Sequence, residues 1–267
     1  MNIAVCIKSV PDPAYYEQIT IDPESKRLVR DGIPAVINDA DKHAHEAALQ
    51  LKEACGGEIS VVSMGPPAAR AQLMEALAAE ADRAFLVSDR KLGGADSLAT
   101  SYTLAKLIET TGNYGLVLCA NESADGATAH VPSQLGVWLG ATHATGIVDV
   151  SWDNGVVVSK QVEGGRGRYR LNTPCVVGVT AQANEVRFCD VRTILAAKNK
   201  PLEILSADDL NDLDETFIGL AGSPSQNGKV EALTGDKECV ILTGDDAAIA
   251  EQVVSIIRSI NTGAEEA

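Results

Sequence analysis

Leu116-Val117-Leu118-Cys119-Ala120 runs straight into Asn121-Glu122-Ser123-Ala124-Asp125-Gly126-Ala127-Thr128-Ala129-His130-Val131-Pro132. The apolar run is short and bounded by polar residues, which reads as a buried strand. The stretch after it is made of small and turn-forming residues. Helical spacing follows, from about Thr128 to Leu139. Small side chains let a backbone approach a ligand closely, and the free N–H groups at a helix start favour phosphate. Thr128 adds a hydroxyl. The pattern is neither a P-loop nor a GxGxxG fingerprint. From these residues alone, a phosphate site and a plain capped loop both stay open.

The same strand, loop and helix unit recurs toward the N-terminus. Ile3–Ile7, Ile59–Met64 and Arg83–Val87 are apolar runs of strand length. Asn38–Glu53 carries Ala40, Ala44, Ala47, Ala48 and Leu51 at helical spacing, with Asn38 or Asp39 as N-cap. A helix is expected after Pro67, which suits a first helical turn, through Leu73 to about Ala79. Another is expected over Asp96–Glu109. Strands separated by helices make right-handed βαβ units. The expected fold class is therefore α/β: a parallel twisted sheet with helices on both faces, Rossmann-like, plus a C-terminal extension. Ligands in such sheets bind at the carboxyl ends of the strands. The loops after Ile7, Met64, Val87 and Ala120 thus define the candidate crevice. Lys8 and Asp12, and the segment Arg90-Lys91-Leu92-Gly93-Gly94-Ala95-Asp96-Ser97, are further candidates to line it.

The second half changes character. Val156–Val162 and Tyr169–Leu171 flank Glu163-Gly164-Gly165-Arg166-Gly167, a hairpin pattern. Val176–Thr180 reads as another strand, and periodicity weakens from Asn184 to Lys200. Residues 207–236 are polar and read as an extended linker. Val240–Leu242 then reads as a strand and Asp245–Ile260 as a helix, with Ile249, Val253, Val254, Ile257 and Ile260 on one face. The expected division is an adenine-nucleotide-binding domain over 1–206 and a C-terminal arm over 207–267.

Composition narrows the classes. The 267 residues can bury one large core with an extra lobe. The formal charge is −15, from 37 acids against 22 bases, the wrong sign for nonspecific nucleic-acid binding. No run of about 18 apolar residues exists, so no membrane span is expected. The strand-like Asn2–Ile7 stands at the very start, so no signal peptide is expected. The cysteines at 6, 55, 119, 175, 189 and 239 form no CxxC pair, which suits a reducing compartment and a cytoplasmic location. The four histidines form no zinc pattern, and no metal site is expected. No nucleophile–base pair or paired carboxylate stands out, so no catalytic residue is assigned and a binding or carrier role outranks hydrolase and transferase readings.

In order along the chain stand Cys6-Ile7-Lys8-Ser9-Val10-Pro11-Asp12, Asp31-Gly32-Ile33-Pro34-Ala35-Val36-Ile37-Asn38 and Ala47-Ala48-Leu49-Gln50-Leu51-Lys52-Glu53. Then come Ser63-Met64-Gly65-Pro66-Pro67, Ser88-Asp89-Arg90, Gly94-Ala95-Asp96-Ser97-Leu98-Ala99-Thr100 and Ala124-Asp125-Gly126-Ala127-Thr128-Ala129. Each alone is a weak signal. As an ordered set they resemble electron-transfer flavoprotein beta subunits over nearly all of residues 1–206. The resemblance implies a heterodimer with a flavin-carrying alpha subunit that exchanges electrons with a dehydrogenase of the acyl-CoA type. It implies an adenine nucleotide in this subunit: AMP, or in electron-bifurcating members a second FAD, with NADH as a candidate donor. By position the nucleotide contacts fall on Cys6, on Asn38, Asp39, Ala40 and Asp41, on Met64, and on Ala120, Asn121, Asp125, Gly126, Ala127, Thr128, Ala129, His130 and Val131. Gly94-Ala95-Asp96-Ser97 and the Asp-Gly-x-Thr-Ala pattern resemble the bifurcating type, which favours FAD. The family's dehydrogenase-docking segment corresponds to Arg187–Lys200. There Val191 and Ala196 stand where the family has Leu and Lys, leaving Arg192, Ile194, Leu195, Lys198 and Lys200. His130 and Val131-Pro132 stand where the family often has Gln and Gly-Pro. The competing classes are a stand-alone nucleotide-binding sensor and a dehydrogenase with its own nicotinamide site. The lack of GxGxxG after the first strand opposes the second.

Overall fold

In the computed structural model, β1 (Ile3–Cys6) is wholly buried at the middle of a nine-stranded sheet. The structure describes residues 1–21, 28–29, 32–225 and 239–263. After β1 come β2 (Ser9–Pro11), β3 (Thr20–Ile21), β4 (Leu28–Val29) and β5 (Ala35–Ile37), which pair as two small antiparallel ribbons, β2 with β5 and β3 with β4. Then follow α1 (Asp39–Cys55), β6 (Ile59–Met64), α2 (Arg70–Ala78), β7 (Arg83–Val87), α3 (Ser97–Thr111), β8 (Leu116–Ala120) and α4 (Val131–Trp138). The second half adds β9 (Thr142–Trp152), β10 (Val156–Val162), β11 (Gly165–Leu171), β12 (Cys175–Val179), α5 (Val191–Ala197), β13 (Leu202–Leu205) and α6 (Asp246–Gly263).

The sheet order is β11-β10-β9-β12-β8-β1-β6-β7-β13, parallel from β9 through β13, with β10 and β11 antiparallel at one edge. Alternate residues of each strand face opposite layers. Ile3, Val5, Ile59 and Val61 pack with Ala44, Ala47, Leu51, Leu73 and Leu77 of α1 and α2. Ala4, Cys6, Val62 and Val117 pack with Tyr102, Leu107 and Leu135 of α3 and α4. Helices therefore cover both faces, as the alternation of strand and helix signals requires.

From β1 the chain builds outward to β6 and β7 on one side, then returns to build β8 and β12 on the other. The reversal leaves a gap between the ends of β1 and β8, the place where open parallel sheets take ligands. The loops after Cys6 and Ala120 flank it.

Several expectations are corrected. Helix α4 begins at Val131, so Thr128, Ala129 and His130 lie in the preceding loop. The segment expected to be a linker from 207 is folded as far as 225. It forms short turns at Ala207–Asp209 and Glu215–Phe217 and buries Leu210, Ile218 and Ser223. Asp214 N–H donates to the Tyr102 hydroxyl at 2.8 Å, and the Phe217 ring packs against Tyr102 and Trp138. The chain forms two compact units, Met1–Val230 and Glu231–Ala267. Residues 226–236 of the expected linker, and Asp31, lie outside the described residues. No strand forms at Val240–Leu242. Strand β9 was not among the expected elements, although Val148, Val150 and Trp152 alternate with Asp149 and Ser151 in its second half.

The second unit, taken by itself, is Asp245 and α6 with the few residues before them. Asp245 accepts from Ala248 N–H at 2.9 Å, an N-cap. Val253, Val254, Ile256, Ile257 and Ile260 are exposed along the helix.

Candidate functional site

The gap between β1 and β8 is organised by the first turn of α1. Asp41 is 4% exposed. Its Oδ2 accepts from Lys8 N–H at 2.7 Å, and its Oδ1 accepts from Ala120 N–H at 3.2 Å. One carboxylate thus ties the ends of both strands to a helix. Burial pushes the Asp41 carboxyl up to about 7, against the opposing pull of the two backbone N–H groups and the Asn38 side chain.

Asn38, at the N-cap of α1, is 2% exposed. Its side chain makes no helix-capping bond. It reaches across the gap instead, accepting from Ala124 N–H at 3.0 Å and donating to Glu122 C=O at 3.1 Å. The Asn38 backbone N–H donates to Lys8 C=O at 3.0 Å. Asn121, at the end of β8, accepts from Gly146 N–H at 2.7 Å through its side chain. Lys8 donates from Nζ to Ser123 Oγ at 3.1 Å and to Asp125 Oδ1 at 2.5 Å.

The loop then turns sharply. Ala127 and Ala129 have φ of 45° and 54°, while Gly126 does not need a left-handed backbone. The strain expected at Gly126 is therefore carried by the two alanines. A side chain larger than methyl gains little room in that conformation, and left-handed residues beside right-handed ones gather N–H groups into an anion-binding concavity. His130, the N-cap of α4, is right-handed and follows Ala129 directly. Its C=O accepts from Gln134 N–H at 3.0 Å. Gln134 Oε1, one turn into α4, is buried with no hydrogen-bond partner among the described residues.

The other expected contacts are close by in the fold. Cys6 ends β1 and Met64 ends β6, each at the carboxyl end of its strand. Cys119 lies beside Cys6, and its thiol is pushed well above the usual range by the Cys6 thiol and by burial. Ala40 is half-buried, and Asp39 is exposed with Lys42 at 3.8 Å. Thr128 is exposed and Val131 half-buried.

Two candidates turn elsewhere. Asp12 caps the short helical turn at Pro13–Gln18 by accepting from Ala14 N–H. In the segment after β7, Lys91 pairs with Asp208 at 3.0 Å and Glu215 at 2.8 Å, and Asp96 caps α3. These groups fasten residues 207–225.

The segment from Arg187 to Lys200 is clamped at both ends. Arg187 grips buried Glu46 in bidentate fashion, Nε to Oε2 at 2.8 Å and an η nitrogen to Oε1 at 2.9 Å, and reaches Glu53 at 2.6 Å. Burial alone would raise Glu46, but these hydrogen bonds hold it below its usual range. Lys200 turns inward, donating to Leu77 C=O at 3.0 Å and Ala81 C=O at 2.7 Å, and burial lowers its pKa. Buried His45 takes Ala79 C=O at the same helix end. Between the clamps Val191, Arg192, Ile194, Leu195 and Lys198 are exposed. Phe188, which sequence reasoning passed over, is 99% exposed. Its only sequence signal is an aromatic ring among polar residues in a chain poor in aromatics.

A mostly parallel sheet with helices on both faces and a small-residue loop at its switch point defines an α/β protein with a crevice at the strand ends. The model of the electron transfer flavoprotein domain matches residues 26–210. The chain is 36% identical over 265 residues to an electron transfer flavoprotein subunit beta of Thermoanaerobacterium thermosaccharolyticum, covering 98% of each. It is 40% identical over 227 residues to the subunit of the same description in Clostridium acetobutylicum, covering 85% of this chain and 86% of the relative. It is 38% identical over 228 residues to the caffeyl-CoA reductase-Etf complex subunit CarD of Acetobacterium woodii, again covering 85% and 86%. The chain belongs to the electron transfer flavoprotein beta-subunit family. No described helix is long and apolar enough to cross a membrane.

Proposed function

We propose that this chain is the beta subunit of a heterodimeric electron carrier, holding FAD in the gap between β1 and β8 and serving electron bifurcation between an NADH-type donor and an acyl-CoA-type dehydrogenase. The observation that carries the nucleotide site is the Asn38 side chain, buried and bonded to Glu122 and Ala124 so that it fixes the loop over the strand ends. The residues present fit an adenine nucleotide. Beyond Ala127, whose own N–H donates to Ser123 C=O at 2.8 Å, the turned backbone at Ala129 offers N–H groups to a phosphate, and Gln134 Oε1 is a buried acceptor with no donor among the described residues. Loop residues 126–130 would hold the phosphates, and Asn38 and Asp41 keep the loop and strand ends in register. A flavin bound there supplies one- and two-electron redox chemistry, whereas AMP supplies none. FAD is favoured by the Asp125-Gly126-Ala127-Thr128-Ala129 pattern.

The large subunit is the partner for α6, whose apolar residues are exposed along its length. The clamped segment with Phe188, Val191, Ile194 and Leu195 is the docking surface for the dehydrogenase. A CoA-ester substrate for that enzyme is supported by the caffeyl-CoA reductase complex named for one relative. Aromatic and aliphatic anchors give affinity, and the rim charges Arg192 and Lys198 set on-rate.

The test is co-expression with the large subunit, then counting nucleotides released on denaturation. Two FAD and no AMP per heterodimer is the expected result. One FAD and one AMP would make the chain a simple carrier subunit. A colourless, monodisperse monomer would favour the sensor reading.

A further inference from the structure

We infer that Lys8 is a positioning residue of the nucleotide loop: its ammonium latches Ser123 and Asp125 to the end of β1, and Asp125 is present as its counter-charge. This rests on the nucleotide reading above and adds to it a residue and a role.

The stem of Lys8 starts from a fixed point. Its N–H is held by Asp41 at 2.7 Å and its C=O by Asn38 N–H at 3.0 Å. The side chain is 47% exposed and free to extend into water, and a long ammonium side chain usually does. Here it bends onto residues 115 and 117 positions away. The Asp125 side chain that receives it is only 14% exposed. Such a pair is screened less than one in open water.

The contacts interleave. Glu122 and Ala124 are held by Asn38 through the backbone, and Ser123 and Asp125 are held by Lys8 through their side chains. Four consecutive loop residues are thereby tied to the two residues that flank the small β2–β5 ribbon. The next residue is glycine. A Cβ at Gly126 would stand 3.4 Å from Ser123 Oγ and 3.9 Å from Lys8 Nζ, so the ammonium lies directly beside the turn into Ala127.

Charge explains why the latch is ionic. The loop carries Glu122 and Asp125 on a chain of net −15, yet its task is to accept an anion. An ammonium on Asp125 cancels the carboxylate nearest the left-handed turn and fixes that turn's starting point. Lys8 thus acts on the phosphate through the loop it holds.

The experiment measures AMP and adenosine binding by calorimetry to the full chain in complex with its large subunit, after nucleotide removal. The variants are Lys8→Met, Lys8→Arg, Asp125→Asn and the Lys8→Met/Asp125→Asn pair. Lys8→Met is expected to weaken AMP about tenfold with adenosine nearly unchanged, a difference of about 1.4 kcal/mol. Lys8→Arg should restore most of it. Asp125→Asn should weaken AMP by a smaller factor, and the double variant should lose less than the sum of the two, because both changes remove the Lys8–Asp125 contact. Tighter AMP binding by Asp125→Asn would overturn the inference, since the carboxylate would then be a repulsive neighbour. So would equal losses of AMP and adenosine in Lys8→Met, or an unchanged ratio of the two. An unmodified complex that binds neither AMP nor FAD would instead remove the nucleotide reading itself.

Discussion

Replacing Asp41 by asparagine removes a titrating proton from the base of the gap. In the folded chain the Asp41 carboxyl is raised from 3.8 to about 7 by burial. In the unfolded chain it returns to the ordinary value. The native state therefore holds a proton that the unfolded state has already lost. Its contribution to stability is fully present below about pH 4 and is lost as pH rises toward 7. Between 3.8 and about 7, at about 1.4 kcal/mol for each tenfold change in proton affinity, this amounts to about 4 kcal/mol. Asparagine keeps one acceptor for Lys8 N–H or Ala120 N–H but turns an NH2 group on the other. That leaves a buried donor facing a donor, at a cost of about 1–3 kcal/mol at every pH. The variant is thus expected to be less stable than the parent at pH 4.5 and to gain on it steadily up to pH 8. Urea unfolding of the heterodimer at fixed concentration, followed by circular dichroism, reads the difference. Parallel stability profiles for the two proteins from pH 4.5 to 8 would refute the reasoning, because they would place no titrating group at position 41.

Other perturbations separate the parts of the molecule. Ala129→Trp should cut nucleotide content far more than Asp125→Asn, since a left-handed, closely approached position tolerates little added volume; full content on denaturation would put the phosphates in another loop. Ile194→Ala with Leu195→Ala, and separately Phe188→Ala, should shift unfolding by no more than about 0.5 kcal/mol, as expected of exposed sites, yet slow electron transfer to the dehydrogenase. Unimpaired transfer would remove that surface from the interface. A chain ending at Val230 should fold, because the first unit is compact to that residue, but should fail to hold the large subunit in size-exclusion chromatography. Retention of the heterodimer would deny α6 its docking role.

The parallel strands were legible because their signals are local. Ile59–Met64, Arg83–Val87 and Leu116–Ala120 are apolar runs closed by turn residues, and all three strands have those bounds. Strand β9 was not, because Thr142–Trp152 mixes His143, Gly146 and Asp149 into a half-buried strand with a bulge against β12. Residues 207–225 read as a linker because the buried Ala207, Leu210, Ile218 and Ser223 are scattered among polar residues, and the apolar ones find their partners far back in the chain, on α3 and α4. Val240–Leu242 has the composition of a strand, but no neighbour pairs with it among the described residues. At the site, small residues after a strand announced the loop. What holds the loop was invisible, because Asn38 meets it across 84 and 86 residues and Lys8 across more than 100. Lys200 had the charge expected of a docking residue, yet that charge is spent on helix-end carbonyls.

Among the described residues no strand pairs with the outer edge of β11, and along it stand Arg166, Arg168 and Arg170 at alternate positions. Alternate residues share a face, so the three guanidinium groups form one row. Arg170 is partly neutralised by Asp153 at 2.9 Å. A second copy approaching edge to edge would pair antiparallel, and the symmetric register about Arg168 sets arginine opposite arginine. Like charges directly opposed weaken a ladder. Charge along an edge strand is one way a sheet resists pairing with a copy of itself. It is selective in what it refuses: an identical molecule is repelled, while a strand bearing carboxylates at the same spacing is not. Replacing Arg166 and Arg168 with threonine would keep the β propensity and delete these charges, and a concentrated solution of that variant is where growing assemblies would be looked for.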